Sequence, residues 1–119
     1  MLQIGPTSKI YLASTHIDFR KGIDGIAAIC RNKINIDPLD GAIFLFYNRS
    51  TSAIKILVYD GQGFWLCSKR LSSGTFKWNL PKNFFNQNLT AYQICHKLIS
   101  VLINNGQYTQ FPNDWRQVQ

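Results

Sequence analysis

The sequence contains no glutamate, and six aspartates are its whole acidic complement against thirteen Lys and Arg. Two-metal phosphoryl chemistry needs about three carboxylates converging on hard cations. Asp18 and Asp24 fall on one helical stretch, and Asp40 and Asp60 sit in turns, so capping and turn formation account for them. No carboxylate metal site is predicted. Histidine is scarce too: His16 and His96 are distant from each other and from any nucleophile motif, which argues against Ser-His or Cys-His catalysis. The three cysteines, Cys30, Cys67 and Cys95, are odd in number and lack metal-ligand spacing, so they read as buried reduced thiols. No apolar run reaches membrane-spanning length, and no charged leader precedes a hydrophobic stretch. A cytoplasmic protein with no membrane partner is expected. Internal repeats and low-complexity segments are absent as well.

What the chain does have is a basic excess, formal charge +7 with a pI near 9.6, and enough apolar and aromatic content, 45% and 13%, to bury a core. A chain this basic concentrates polyanions around itself, and nucleic acid is the natural partner class. An acidic protein partner satisfies the same charge.

Residues 54–71, IKILVYDGQGFWLCSKRL, organise the rest. Two runs rich in β-branched and aromatic side chains flank Asp60-Gly61-Gln62-Gly63, and Asp-Gly favours the tight turns of paired strands. Pairing parity puts Ile54, Ile56, Val58, Trp65, Cys67 and Lys69 on one face, and Lys55, Leu57, Tyr59, Phe64, Leu66, Ser68 and Arg70 on the other. Both faces are apolar near the turn, so both require cover.

Before the hairpin, residues 9–14 form a short strand and residues 42–47, AIFLFY, a continuous apolar one. Between them, apolar residues at Phe19, Ile23, Ile26, Ala27, Cys30 and Ile34 have helical spacing, with Asp18 as N-cap. Gly22 and Gly25 within that helix imply tight packing or a close-lying ligand. Beyond the hairpin, residues 75–78 suit a fourth, edge strand. Thr90 with Gln93 forms a capping box and Leu89 with Ile94 a hydrophobic staple, which predicts a second helix ending near Gly106. Ile99 and Ile103 lie off its apolar stripe and suggest a partner surface. The expected fold is therefore α+β: a mixed, mainly antiparallel sheet of four to five strands with two packed helices. Residues 1–106 form the single domain, and residues 107–119 an irregular C-terminal tail.

With catalytic motifs missing, cations remain. Arg20 and Lys21 open the first helix, Arg31 and Lys33 stand near its end, and Arg49 lies in a turn. Lys55 and Arg70 share a hairpin face, with Lys69 and Lys77 nearby and Trp65, Phe76 and Trp78 interleaved. Basic groups for phosphates beside rings that stack on unpaired bases fit a nucleic-acid surface. Candidate DNA contacts are Arg20, Lys21, Lys55, Lys69, Arg70 and Lys77. Rings in the core and solvated strand charges account for the same residues in a protein without that role.

Asp18-Phe19-Arg20-Lys21-Gly22-Ile23-Asp24-Gly25, followed by Ile26-Ala27-Ala28, resembles the DMRKGIDGLAA signature of TnpB accessory proteins of insertion-sequence-66-type transposable elements. A strand like residues 42–46, blocks like residues 55–64 and 69–71, and Gly74, Phe76 and Trp78 extend the similarity. Departures are Phe19 for the usual Met, Val58-Tyr59 where Trp-Trp is common, and Asn79-Leu80 before an Asn-rich connector. The resemblance implies a small non-catalytic protein, without cofactor, encoded beside a separate DDE transposase and needed for efficient transposition. It further implies either binding to the element's DNA ends or docking on that transposase, with self-association as a variant of the second role.

Overall fold

The computed structural model describes residues 7–78, 91–94, 107–108 and 116–118. Its centre is a six-stranded mixed sheet built from β1 (Ile10–Ala13), β2 (Ile43–Tyr47), β3 (Ala53–Tyr59), β4 (Phe64–Arg70), β6 (Ala91–Ile94) and β8 (Arg116–Val118). Their order is β4-β3-β2-β1-β6-β8. A separate two-stranded sheet joins β5 (Lys77–Trp78) to β7 (Gln107–Tyr108).

The predicted hairpin forms with the predicted parity of faces, in the register centred on Gly61-Gln62: Ile54 opposes Lys69, Ile56 opposes Cys67, Val58 opposes Trp65 and Tyr59 opposes Phe64. With β2 antiparallel to β3, the three strands make an antiparallel meander. All five residues of β2 are buried, as a strand covered on both faces requires. One face carries Ile10, Leu12, Ile43, Leu45, Ile54, Ile56, Tyr92 and Ile94, with Phe76 and Leu71 packed against it. The other carries Phe44, Phe46 and Leu57 beneath Ile26, Ala27, Cys30 and Ile34. Leu57 is 0% exposed, a burial that contributes about 2 kcal/mol.

The helix between β1 and β2 is shorter than its spacing suggests. α1 spans Ile23–Ile29 and continues as a π-helical turn, Cys30–Ile34, closed by Asn35 in the left-handed conformation with φ 64°. Asp18 is not its N-cap; Gly22 holds that position without a side-chain hydrogen bond. Asp18 instead accepts from the backbone N–H of Arg20 at 2.9 Å while its carbonyl accepts from Lys21 N at 3.2 Å. This local turn competes with helix for the same residues. A Cβ on Gly25 would meet the Cβ of Lys21 at 3.3 Å, whereas one on Gly22 would meet nothing within 4 Å. The tightness is thus internal to this turn.

β1 and β2 are adjacent and parallel, so β1, α1 and β2 form a βαβ unit, an arrangement in which the helix crosses over one face of the sheet. The other edge of β1 explains the main departure from expectation. Ala91–Ile94 is strand, not the first turn of a helix, and pairs antiparallel with β1 from Ile10–Ile94 to Ala13–Ala91. β1 is almost wholly buried, and its backbone donors and acceptors need a partner that local capping preference does not outweigh. One helix packs on the sheet among the described residues, not two. The remainder of the expected second helix, with Ile99 and Ile103, lies outside those residues. The 75–78 segment likewise departs from expectation: β5 leaves the main sheet to pair with β7. Phe76 N–H bonds Thr51 O at 2.8 Å and steers it away from the edge of β4. Pairing rather than periodicity makes the two short strands of the 107–119 tail.

Candidate nucleic-acid interface

The helix-bearing face ends in two segments that face each other: residues 14–22, which lead into α1, and residues 48–52, which join β2 to β3. Their closeness follows from the βαβ path, and Ile17 N–H fixes it with a 3.1 Å bond to Tyr47 O. Between them lies an open groove of about 730 Å³, lined by His16, Ile17, Asp18 and Phe19 on one side and Asn48, Arg49 and Ser50 on the other.

The turn is held by Asn48. Its side-chain oxygen accepts from Ser52 N at 2.9 Å and Ala53 N at 3.1 Å, and its amide donates to Ser52 Oγ at 2.9 Å. These bonds support Thr51 at φ 54°, a conformation unusual for a β-branched residue. Arg49 and Ser50 stand exposed at the apex.

The loop is held from below by Lys55. Its ammonium donates to Phe19 O at 2.7 Å and Lys21 O at 3.3 Å, and lies 5.0 Å from the centroid of the Phe19 ring. Arg20 is turned outward, its side chain 91% exposed, and grips Asp18 with a 2.7 Å contact and further bonds through Nε. The hydrogen bonds from Arg20 hold the Asp18 carboxyl down at about 2, and the same pairing raises Arg20 further.

The six candidate contacts separate into groups. Arg20, Lys21 and Lys55 come together at the loop. Arg70 shares their face of the sheet, diagonal to Lys55 across the β3–β4 ladder, a spacing of roughly 7–8 Å between Cα atoms. Lys69 is half-buried on the opposite face, and Lys77 is exposed on β5. Arg49, which lines the groove, completes the loop cluster. Its sequence signal is a lone arginine in a polar turn, and its neighbours become visible only through tertiary contact.

Other features bear on chemistry. Cys30 is buried, and desolvation pushes its thiol up to about 12, far from a nucleophile's range. Among the described residues, no three His, Cys, Asp or Glu side chains gather, and no helix is long and apolar enough to cross a membrane. Trp65, 45% exposed, stands on β4 at the sheet edge with its indole N–H bonded to Asp60 at 2.8 Å.

Against known proteins, residues 8–108 match the family model for IS66 Orf2-like proteins, TnpB of IS66. Two relatives come from Sinorhizobium fredii (strain NBRC 101917 / NGR234), both named as uncharacterized proteins. One, y4hO, is 38% identical over 78 residues, covering 66% of this chain and 68% of the relative. The other, y4jC, is 35% identical over 75 residues, covering 61% of this chain and 64% of the relative. No solved structure matches the chain.

Proposed function

Because the chain belongs to the IS66 Orf2-like family, whose role is that of an accessory to transposition, we propose that it acts without catalysis by binding the DNA of the mobile element through a basic surface. The observation that carries this reading is the grouping of Arg20, Lys21 and Arg70 on the helix-bearing face, with Lys55 fixing the loop that presents the first two. Lys69, on the opposite face of the sheet, and Lys77, in the separate two-stranded sheet, stand outside that grouping. Cations held on defined backbone meet phosphates with less ordering entropy than a flexible tail.

Fluorescence anisotropy of labelled element-end DNA, titrated with the full chain across a salt series, tests it. Log affinity falls linearly with log salt, and Lys21→Gln lowers the slope by about 0.9, one phosphate contact. Absence of binding at low salt overturns the reading.

A second reading has its own support. Trp65 combines an exposed ring with an edge strand, and aromatic residues anchor protein interfaces. On that reading the chain docks on the partner transposase or on itself, with Ile99 and Ile103 contributing. Co-purification with the DDE transposase in nuclease-treated extract, lost in Trp65→Ala and accompanied by no DNA shift, selects it.

A further inference from the structure

We propose that the groove between residues 14–22 and 48–52 seats a backbone phosphate of a DNA strand, with Arg49 as its anchor and the apolar floor of the groove receiving the adjoining sugar or an unstacked base. This rests on the DNA-binding reading and names the place of closest contact, at a residue outside the six candidate cations.

Four observations converge on it. The groove is open and holds about 730 Å³ of space between its two walls. It suits one nucleotide of a strand and is too small to enclose a duplex. Its two halves differ in chemistry: Arg49, Ser50 and His16 offer donors at the rim, while Ile17, 7% exposed, and the half-buried Phe19 form a floor.

Charge favours an anion despite Asp18. That carboxylate is covered by the Arg20 guanidinium at 2.7 Å, so among the described residues Arg49 is the formal charge on the lining with no carboxylate paired to it. The Ser50 hydroxyl, 2.8 Å from Ser52 Oγ, can accept from Ser52 and turn its own proton toward a phosphate oxygen. Finally, both walls are built before any ligand arrives: the turn by the Asn48 bonds, the loop by Ile17 N–H to Tyr47 O and by Lys55. Arginine on a fixed turn presents a planar fork matched to two phosphate oxygens.

The test is amide and imidazole NMR of the labelled full chain. It is titrated separately with inorganic phosphate, a short single-stranded oligonucleotide and the duplex of the same sequence. The expected result is that signals of residues 16–19 and 49–52 move with DNA, and that Arg49→Gln removes those shifts while hairpin signals at residues 60–63 stay in place. The same variant lowers the salt slope of DNA binding by about 0.9. A stronger response to the single strand assigns the floor to an unstacked base, and an equal response assigns it to the sugar. Shifts confined to β4 or β5 overturn the groove and leave DNA binding intact. Phosphate-induced shifts at Arg49 with no response to either DNA overturn the DNA reading and with it the proposed occupant. Shifts that persist in Arg49→Gln overturn Arg49 as the anchor.

Discussion

Two aspartate-centred loops on this molecule are closed in opposite ways. At the hairpin tip, Asp60 Oδ1 accepts from Gln62 N and Gly63 N, both at 2.9 Å, and Oδ2 from the Trp65 indole. The Asp60 amide returns a 3.0 Å bond to Gly63 O. Every partner lies within five residues. At residues 14–22, Asp18 binds Arg20 just as locally, yet the anchors of the loop come from across the sheet: Tyr47 O, and the Lys55 ammonium, 34 and 36 residues away in sequence. A self-closed turn survives changes elsewhere. A loop closed from a distance presents its cations only while the sheet beneath it is intact, which joins the candidate binding surface to the folded core.

The largest effect expected from breaking this contrast is at Lys55. Lys55→Met keeps the stem and removes the ammonium, leaving the carbonyls of Phe19 and Lys21 without their donor. Chemical denaturation should show a loss of about 2 kcal/mol, with the hairpin tip unaffected. Next comes the local turn itself. Gly61 sits at φ +98° with open space around its Cβ position, so Gly61→Ala meets backbone strain and no clash. It should cost about 1 kcal/mol in the same assay, without altering DNA affinity.

The smallest effects are electrostatic. Asp18, held down at about 2 by Arg20, and Asp60, lowered by the amides of Gln62 and Gly63, both have folded pKa values below those of the unfolded chain. Each contribution is complete above the usual carboxylate pKa of about 3.9. It is lost as pH falls, toward about 2 for Asp18. Both are surface groups, so the loss is modest. Thermal unfolding followed from pH 5 downward should fall less steeply in Asp18→Asn than in the parent, and salt should reduce the difference. If Asp18→Asn unfolds the protein at neutral pH, the local pairing at the loop has been underrated.

The same contrast separates what was legible in the sequence from what was not. The hairpin and its faces followed from the Asp60-Gly61-Gln62-Gly63 turn and strict alternation, and the face shared by Ile54, Ile56, Val58, Trp65, Cys67 and Lys69 is as the parity requires, whereas the exact register, centred on Gly61-Gln62, comes from the structure. Of the apolar stripe, Ile26, Ala27, Cys30 and Ile34 are buried as its spacing implies, whereas Ile23 is 36% exposed and Phe19 precedes the helix. Where tertiary demand opposed local preference, local signals misled. The capping pattern at Thr90 and Gln93 gave way, over Ala91–Ile94, to the need of β1 for an edge partner. Asp18 turned to Arg20 instead of capping α1. Charge alone made Lys55 a candidate phosphate contact, and only its position on β3 reveals the carbonyls it holds. The groove joins segments some thirty residues apart, so no local motif could announce it.

Amide hydrogen exchange of the full chain, parent against Lys55→Met, tests most directly whether the loop is held from across the sheet. The account predicts faster exchange at Ile17, Arg20 and Lys21, whose N–H groups are bonded in the folded loop, with Gln62 and Gly63 unchanged. Equal exchange in the two proteins at those three amides, or acceleration spread evenly over both loops, would contradict it.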